Sequence, residues 1–468
     1  PLAPEIWYDG IDSDCGNDND FDADGDGVDY DLDCDDSNAS IYPGQIDVST
    51  SGVDENCDGI VDEFIVSSGV EGEHPADQFA KSLIYDASTD SLWISAVGYD
   101  AAALGSGMVY NLPSDSVDLS QVTFSIEGEY LADHLGNDLL VVPDQDGDSI
   151  SELWIAAYGS DRAGRNAGAV YLRSSLETET VVSDLNTVIT GTASGDNFAW
   201  DIEGQDTHLL ISAPGADIAA VSNGAAYLFS SIPSGEVTAA SADSIFVGEQ
   251  AGEEAGKSIA MGDVNGDGLL DVAVGSPYHS EGNTEGMVYV SLAPFGQIVP
   301  LQTSNAKWQG DIADCNLGFS VAMGDLNGDG YADLAMGAPY REQDNGAVFV
   351  SFGAASQSNT VASADLQFFV EEDHSSLGAN IQLMDIDGDG HLDLLASAPS
   401  DSTEYINQGA VYVAYGNLQN DSFDTVFYGE DENFYLGNSM TQSSDALLIA
   451  QSRANQDQGS FLEILSNN

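Results

Sequence analysis

The stretch GDVNGDGLLDVAVG, residues 262–275, decides the fold. Its oxygen-bearing side chains stand at positions 1, 3, 5 and 9 of a short loop, in the order Asp263, Asn265, Asp267, Asp271. Gly268 permits a sharp turn, so these oxygens and the carbonyl of Leu269 can converge on one cation. Because an all-oxygen, carboxylate-rich set suits Ca²⁺ better than zinc or copper, the loop predicts a calcium site followed by an apolar strand.

This spacing recurs at three other places in the chain, each followed by a short apolar run. The corresponding side chains are Asp325, Asn327, Asp329 and Asp333; Asp385, Asp387, Asp389 and Asp393; and, in a variant, Asp144, Asp146, Asp148 and Glu152. One such loop could be an Asp-Gly hairpin turn without metal. Four loops in the same register favour metal binding.

The charge balance of the chain restricts the classes of partner that it can bind. Lys and Arg number 8 against 80 Asp and Glu, which gives a formal charge of -72 over 468 residues. Nucleic acid and anionic lipid surfaces are therefore excluded as partners. Bound Ca²⁺ or high external salt must offset the self-repulsion, and both indicate an extracellular location. No run of about 20 apolar residues is present, so no membrane span is expected.

Residues 1–63 form a compositionally distinct segment, rich in Asp, Asn and Gly and with too few apolar residues for a core. We expect a small module held by metals and disulfides, the alternative being a disordered acidic linker. Cys34 and Cys57 flank a turn and are predicted to pair. Two acidic loops supply further candidate ligands: Asp22, Asp24 and Asp26, and then Asp54, Asn56, Asp58 and Asp62.

From Phe64 onward the chain is a long-period repeat with seven copies. Each copy contains four short apolar segments, and the third reads GMVYN, GAVYL, GAAYL, GMVYV, GAVFV, GAVYV and GSFLE in turn. Four strands repeated seven times predict an all-β fold, a seven-bladed β-propeller over residues 64–468. The last copy stops after its third strand, and FIVSS at 64–68 is predicted to supply the fourth strand and close the ring.

Two stretches resemble known families. Residues 317–350 resemble the FG-GAP repeat of integrin α-subunits, and residues 33–44 and 52–63 resemble the MopE-type metal-binding repeat of secreted bacterial proteins. The first resemblance implies a propeller with Ca²⁺ loops between the first and second strands of several blades. It also implies that the backbone carbonyl of the seventh loop residue binds the ion, which adds Leu269, Tyr331, His391 and Ile150. In the variant loop at Asp144 the glycine is displaced, so weaker binding is expected there.

The few cations are concentrated in one class of loop. The loops between second and third strands hold four of the five arginines, together with several tyrosines. The predicted ligand-binding residues there are Arg162, Arg165, Arg341, Arg453, Tyr278 and Tyr340. Because strands alternate in direction, these loops lie on the face opposite the calcium loops. The arginines are predicted to bind an acidic group of a ligand there. The alternative is that each arginine pairs with a nearby Asp.

These observations predict an extracellular or cell-surface, calcium-binding adhesion or recognition protein that binds a protein or glycan ligand. One alternative is a filament or coat subunit, in which Cys15 and Cys315 of neighbouring copies form a bridge; otherwise Cys315 is a buried free thiol. A second alternative is a lectin. The chain contains no nucleophile elbow, HExxH motif or P-loop, and we expect no enzyme activity.

Overall fold

The structure, a computed structural model, describes most of the chain. The described residues are 7–8, 19, 21–30, 32–43, 47–48, 57, 64–68, 70–72, 74, 76–100, 102–116, 118–144, 147–174, 180–280, 282, 284–353, 358–370, 374–403, 405–429, 432–444, 446–452 and 459–466. Seven predicted site residues lie outside them: Cys15, Asp54, Asn56, Asp58, Asp62, Asp146 and Arg453. The division into a module at 1–63 and a propeller stays a prediction.

The strands form seven sheets, which confirms the all-β, seven-bladed propeller. Blade 1 contains Phe79–Asp86, Ser91–Ala96, Met108–Pro113 and Phe124–Glu127; blade 2 contains Leu139–Val142, Glu152–Ala157, Ala169–Arg173 and Thr187–Thr190; blade 3 contains Ile202–Gln205, His208–Ala213, Ala225–Phe229 and Ser244–Val247; blade 4 contains Ile259–Gly262, Asp271–Ser276, Met287–Ser291 and Ala306–Gln309. Blade 5 contains Val321–Gly324, Asp333–Gly337, Val348–Ser351 and Leu366–Phe368; blade 6 contains Ile381–Met384, Asp393–Ala398, Ala410–Ala414 and Thr425–Tyr428; blade 7 contains Leu436–Gln442, Ala446–Gln451, Ser460–Ser466 and Phe64–Ser68.

The ring closes as predicted. Phe64–Ser68 pairs antiparallel with Ser460–Ser466 and completes blade 7 as its fourth strand. The chain therefore joins its N-terminal part to its last strand, and no sheet of the ring lacks its outer strand. Closure of this kind removes the open junction between first and last blade that an unclosed ring would expose.

Four blades carry a fifth strand that the repeat pattern does not predict. In blades 2, 3 and 4 it is a short segment of the next blade, paired parallel to the fourth strand: Glu236–Thr238, Ile298–Pro300 and Ser358–Thr360. In blade 6 the same place is taken by Asp47–Val48, which pairs with Thr425 and Val426. These strands are two or three residues long, so they carry no usable hydrophobic period.

The helical segments are short. Single 3₁₀ turns precede the fourth strand in blades 1 to 5, at Leu119–Gln121, Val182–Asp184, Ala239–Ser241, Leu301–Thr303 and Val361–Ser363, and a further turn spans Arg341–Asp344. Within the part of the chain that the structure describes, no helix is both long and apolar enough to cross a membrane.

The hydrophobic core is divided into seven clusters, one at each junction between adjacent blades. Between blades 2 and 3, for example, Trp154 and Phe198 pack with Ile211. The cluster that joins blade 7 to blade 1 contains Phe79 and Phe461, both buried. Since apolar burial is the main driving force of folding, the ring is stabilised at every junction, including the closing one.

Backbone contacts between blades explain the glycine that opens each third strand. Gly168 has φ +82°, and a Cβ atom there would lie 1.9 Å from the carbonyl oxygen of Phe198 in the next blade. Only glycine permits both this conformation and this approach. The corresponding glycines of the other blades are Gly107, Gly224, Gly286, Gly346, Gly409 and Gly459.

A ring of polar side chains at the start of the first strands also links each blade to the next around the central channel. Ser82 Oγ accepts a hydrogen bond from Leu139 N at 3.1 Å, and Asp138 Oδ2 accepts one from Ile202 N at 3.0 Å. The remaining links come from Asp201, Ser258, Ser320, Asn380 and Ser439. The side chains around the channel therefore serve the fold as well as lining a cavity.

Candidate functional site

The acidic loops lie together at one edge of the ring. They connect the first and second strands of blades 2, 4, 5 and 6, and we call this edge the lower face. The loops between second and third strands, together with the connections from one blade to the next, form the opposite edge, which we call the upper face. Blades 1, 3 and 7 have short turns at the lower face, as the sequence predicts.

The loop of blade 4 wraps its backbone around its own acidic side chains. The Asp263 carboxylate accepts hydrogen bonds from Gly266 N at 2.7 Å and from Gly268 N at 2.8 Å. Asn265 Oδ1 accepts one from Asp267 N at 2.9 Å. This pattern holds the side-chain oxygens inside the turn, where they can face a common centre.

The loops of blades 5 and 6 repeat that geometry closely. Asp325 accepts from Gly328 N and Gly330 N, both at 2.8 Å, and Asp385 accepts from Gly388 N at 2.8 Å and Gly390 N at 2.9 Å. In blade 2, Asp144 accepts from Gly147 N at 2.6 Å and Ser149 N at 2.8 Å. Ser149 takes φ +73° where the other loops have glycine, so this loop carries local strain.

The ninth loop residue is a buried carboxylate at the start of the second strand. Asp271, Asp333 and Asp393 are fully buried, and each accepts one backbone hydrogen bond on each carboxylate oxygen. Burial raises the pKa of Asp271 and Asp333 to about 6 and that of Asp393 to about 7. Carboxylates held out of water beside other carboxylates are stabilised by a cation.

The donor set of these loops fits a hard divalent cation. In blade 6, one oxygen from each of Asp385, Asp387 and Asp393 lies within 4.8 Å of the others. Blades 4 and 5 carry the amides of Asn265 and Asn327 where blade 6 has Asp387, so their sets are also all-oxygen. Oxygen ligands in this number are those of Ca²⁺ or Mg²⁺ rather than of zinc. The assignment of individual ligands stays a prediction.

The N-terminal segment contains a loop of the same kind. Asp22 accepts from Gly25 N at 2.8 Å and Gly27 N at 3.1 Å, and Asp26 accepts from Val28 N at 2.8 Å. The Oδ2 atoms of Asp24, Asp26 and Asp33 are buried without a hydrogen-bond partner among the described residues. One oxygen from each lies within 4.8 Å of the others, which is a geometry that a cation would satisfy.

Asp33 is the candidate ligand that the sequence reasoning missed. It stands twelfth in a loop that begins at Asp22, and Gly27 stands sixth. A carboxylate at position 12 and glycine at position 6 are the spacing of a twelve-residue calcium loop. That spacing is readable in the sequence, but the neighbouring Asp residues between 29 and 36 conceal it.

Two of the described cysteines form a disulfide, and a third is a free thiol. Cys34 and Cys57 form a disulfide with an S–S distance of 2.07 Å, as predicted. Cys315 is a buried free thiol that donates to Glu285 O at 2.9 Å. It occupies the position held by Asp133, Asp196 and Glu253 in other connections between blades. The thiol is therefore an internal contact of the fold and not a surface group.

Two arginines of the upper face are engaged within the chain. Arg162 lies 3.4 Å from Glu236 and 3.8 Å from Glu129, and not beside Asp161. Arg341 forms an ion pair with Asp311 at 2.9 Å and is buried. Both arginines are thus paired within the chain, Arg341 with an Asp and Arg162 with two glutamates that are distant in sequence. Arg165 is exposed and, among the described residues, lies in no ion pair.

The upper face instead presents exposed apolar side chains. Nine of the twelve large hydrophobic residues that the described propeller exposes lie there. We call this set the apolar crown: Leu104, Tyr130, Leu131, Ile218, Val221, Tyr340, Phe369, Tyr405 and Ile406. Val221 is the most exposed of them, at 70%. The sequence reasoning singled out only Tyr340 as a site residue, because isolated apolar residues in loops carry no periodic signal.

Comparison with protein families agrees with this architecture. The FG-GAP repeat model matches residues 255–291, 317–351 and 378–414, which cover parts of blades 4, 5 and 6. A MopE-type model described as a putative metal-binding motif matches residues 1–21 and 33–63. The chain therefore contains FG-GAP repeats in its propeller and a MopE-type metal-binding motif within residues 1–63.

The curated relatives that match are integrin α-subunits. Human integrin alpha-6 is 33% identical over 164 residues, which is 34% of this chain and 14% of the relative. Integrin alpha-PS5 of Drosophila melanogaster is 35% identical over 176 residues, 35% of this chain and 16% of the relative. Mouse integrin alpha-IIb is 34% identical over 162 residues, 32% of this chain and 15% of the relative. The similarity thus covers only a small part of each relative.

Proposed function

We propose that this protein is an extracellular recognition protein of the adhesion type, which binds a protein ligand on its upper face. The observation that carries the proposal is the apolar crown. Large apolar groups exposed together on one face of a soluble protein mark an interaction site. Among the described residues, the only large hydrophobic side chains that the lower face exposes are Leu269 and Tyr331, so the two faces are chemically distinct.

Calcium has a structural role in this proposal. The loops of blades 2, 4, 5 and 6 and the Asp22 loop each bind Ca²⁺ through carboxylate, amide and carbonyl oxygens. The ions neutralise acidic turns at the lower face and in the N-terminal segment, away from the apolar crown. In a chain of formal charge -72, this neutralisation lowers the self-repulsion of the folded state.

Two observations support an extracellular location. The Cys34–Cys57 disulfide is typical of proteins in oxidising environments. The matching relatives are named integrin α-subunits, and the adhesion role is proposed here by that similarity over about a third of the chain. We propose no catalytic activity. The buried Cys315 gives no support to a fibre linked through that thiol.

The experiment that tests the proposal compares two charge insertions. Calcium-loaded protein is applied to an immobilised panel of purified extracellular matrix proteins and glycans. Val221→Asp in the apolar crown is expected to abolish binding to whichever protein of the panel the wild type binds. Ile298→Asp, at the outer edge of blade 3, is the matched control, because Ile298 is also exposed but lies on neither face. Equal loss in both variants, or loss only in Ile298→Asp, would overturn the upper face as the binding surface.

A further inference from the structure

The central channel of the propeller contains a cavity of about 760 Å³. Its wall is built from the first strands, and its mouth lies among upper-face residues such as Tyr158 and Tyr340. Cavities of several hundred Å³ are typical of sites for small molecules or single sugar units. The channel is therefore large enough to admit a ligand of that size from the upper face.

Two of the three lysines of the chain line this cavity. Lys81 belongs to the first strand of blade 1, and Lys257 lies two residues before the first strand of blade 4. Among the described residues, neither ammonium group lies within 4.0 Å of a carboxylate. The third lysine, Lys307, pairs with Glu249 at 3.0 Å. In a chain with 80 acidic groups, two lysines that line one cavity without an ion pair are unusual.

Three carboxylates, those of Asp138, Asp201 and Glu203, line the same channel. Asp138 and Asp201 accept backbone hydrogen bonds from the next blade, and burial raises the pKa of both. Burial, together with the nearby Asp138, raises the pKa of Glu203 to about 8. Removal from bulk water also lowers the pKa of Lys81 and Lys257, whereas the nearby carboxylates of Asp138 and Glu254, respectively, act to raise it.

Aromatic rings stand beside the lysines. The ammonium of Lys257 lies 3.7 Å from the ring centroid of Trp200, and Trp200 lies 4.9 Å from Tyr158. Tyr158 stacks in turn on His134, with centroids 5.1 Å apart. Cations next to flat apolar rings match a sugar that carries an acidic group, because the ring faces pack against C–H groups and the ammonium groups pair with the acid.

We propose that the mouth of the central channel binds an acidic sugar residue, with its carboxylate between Lys81 and Lys257 and its ring against the Trp200–Tyr158 wall. The inference rests on the proposed function in so far as the ligand enters through the same upper face. A peptide carboxylate shares the acidic group, but one side chain would fill little of the cavity. The volume and the aromatic wall therefore favour a saccharide.

The test is calorimetric titration of the calcium-loaded full chain with trigalacturonate, its methyl ester and an oligoglutamate peptide. We expect trigalacturonate to bind, and the uncharged ester and the peptide to bind at least about ten-fold more weakly. Lys81→Met and Lys257→Met should each reduce trigalacturonate affinity by about ten-fold or more. Lys307→Met is the matched control, because Lys307 lies on the outer strand of blade 4, and its affinity should equal that of the wild type.

A second measurement uses only the wild type, so it does not depend on whether the variants fold. The affinity of the wild type for trigalacturonate should fall as NaCl is raised, whereas weak binding of the ester should not change. Equal binding of acid and ester, no binding of trigalacturonate, or preference for the peptide would each overturn the proposal.

The experiments can refute the proposed function and the channel site independently of each other. Val221→Asp should leave trigalacturonate binding intact while it abolishes binding to the protein ligand. If trigalacturonate does not bind but the Val221→Asp effect on the protein ligand persists, the channel site is refuted and the recognition face stands. If trigalacturonate binding depends on both lysines but no ligand of the panel depends on Val221, the reverse conclusion follows.

Discussion

The described part of the N-terminal segment buries a single hydrophobic side chain, Ile41, upstream of Phe64, whereas each junction between blades buries at least ten. The segment instead contains the Cys34–Cys57 disulfide and three buried, unpartnered carboxylate oxygens in the Asp22 loop. The ring also carries acidic loops, but blades 1, 3 and 7 lack them and still bury apolar clusters at their junctions. We therefore expect the N-terminal segment to depend on its acidic loops for stability more than the ring does.

The largest expected effect comes from removing both supports of the N-terminal segment. Cys34→Ser in the presence of EGTA should leave residues 1–63 open to protease while the propeller remains resistant. A disulfide closing a loop of this length contributes about 3 kcal/mol, which is most of what so small a segment can have. Limited proteolysis with mass spectrometry measures the cleavage sites. Cys315→Ser with EGTA is the control, and early cleavage inside the blades would contradict the comparison.

A smaller effect is expected from substituting a glycine at which the backbones of two adjacent blades are in contact. Gly168→Ala should lower the thermal midpoint by several degrees more than Gly195→Ala. Both glycines have positive φ, which costs alanine about 1 kcal/mol, but only at Gly168 would the new Cβ meet the next blade. Nothing lies within 4 Å of a Cβ at Gly195. Calorimetry of the two variants gives the difference, and equal midpoints would mean that the blades separate easily.

Substitution of single predicted calcium ligands should affect the N-terminal segment and the ring differently. Asp33→Asn should weaken Ca²⁺ binding and make residues 1–63 protease-sensitive even with Ca²⁺ present. Asp393→Asn should weaken Ca²⁺ binding at blade 6 but shift the thermal midpoint of the ring by only a few degrees. Calcium titration and calorimetry on both variants test this, with Asp29→Asn as the control for Asp33. A collapse of the ring in Asp393→Asn would show that metal, rather than apolar packing, supports the propeller.

The smallest expected effect is a change in pH dependence. The pKa of Glu203 is raised to about 8, so the folded state binds a proton that the unfolded state has lost above about pH 4.3. Its unfavourable contribution therefore grows as pH rises toward 8. Glu203 lies near Asp138 in the channel, and Glu203→Gln should stabilise the ring more at pH 8 than at pH 5. Thermal midpoints at the two pH values check the sign, and an equal gain at both would contradict it.

The features of the fold that repeat along the sequence were predictable from it. Seven copies of the segment that begins at Gly168 and its counterparts predicted the blade number, and the orphan strand at 64–68 predicted the closure. The fifth strands and the ion pairs of Arg162 with Glu129 and Glu236 were not predictable, since each joins residues of different copies. The twelfth position of the Asp22 loop was readable, but it lies among other carboxylates. The apolar crown emerges only when loops distant in sequence are brought to one face.

The closing strand has a consequence for the order of events on the ribosome. Phe64–Ser68 is made before the strands of blades 1 to 6, and its partner Ser460–Ser466 is made after them. Until Ser460–Ser466 is made, blade 7 is incomplete, and the faces of blades 1 and 6 that pack against it lack part of their apolar neighbours. Non-local pairing of this kind is slow and leaves strand edges open to other chains. Nascent chains on one messenger would therefore be exposed to exchange of this strand between neighbours until each chain has made its own Ser460–Ser466.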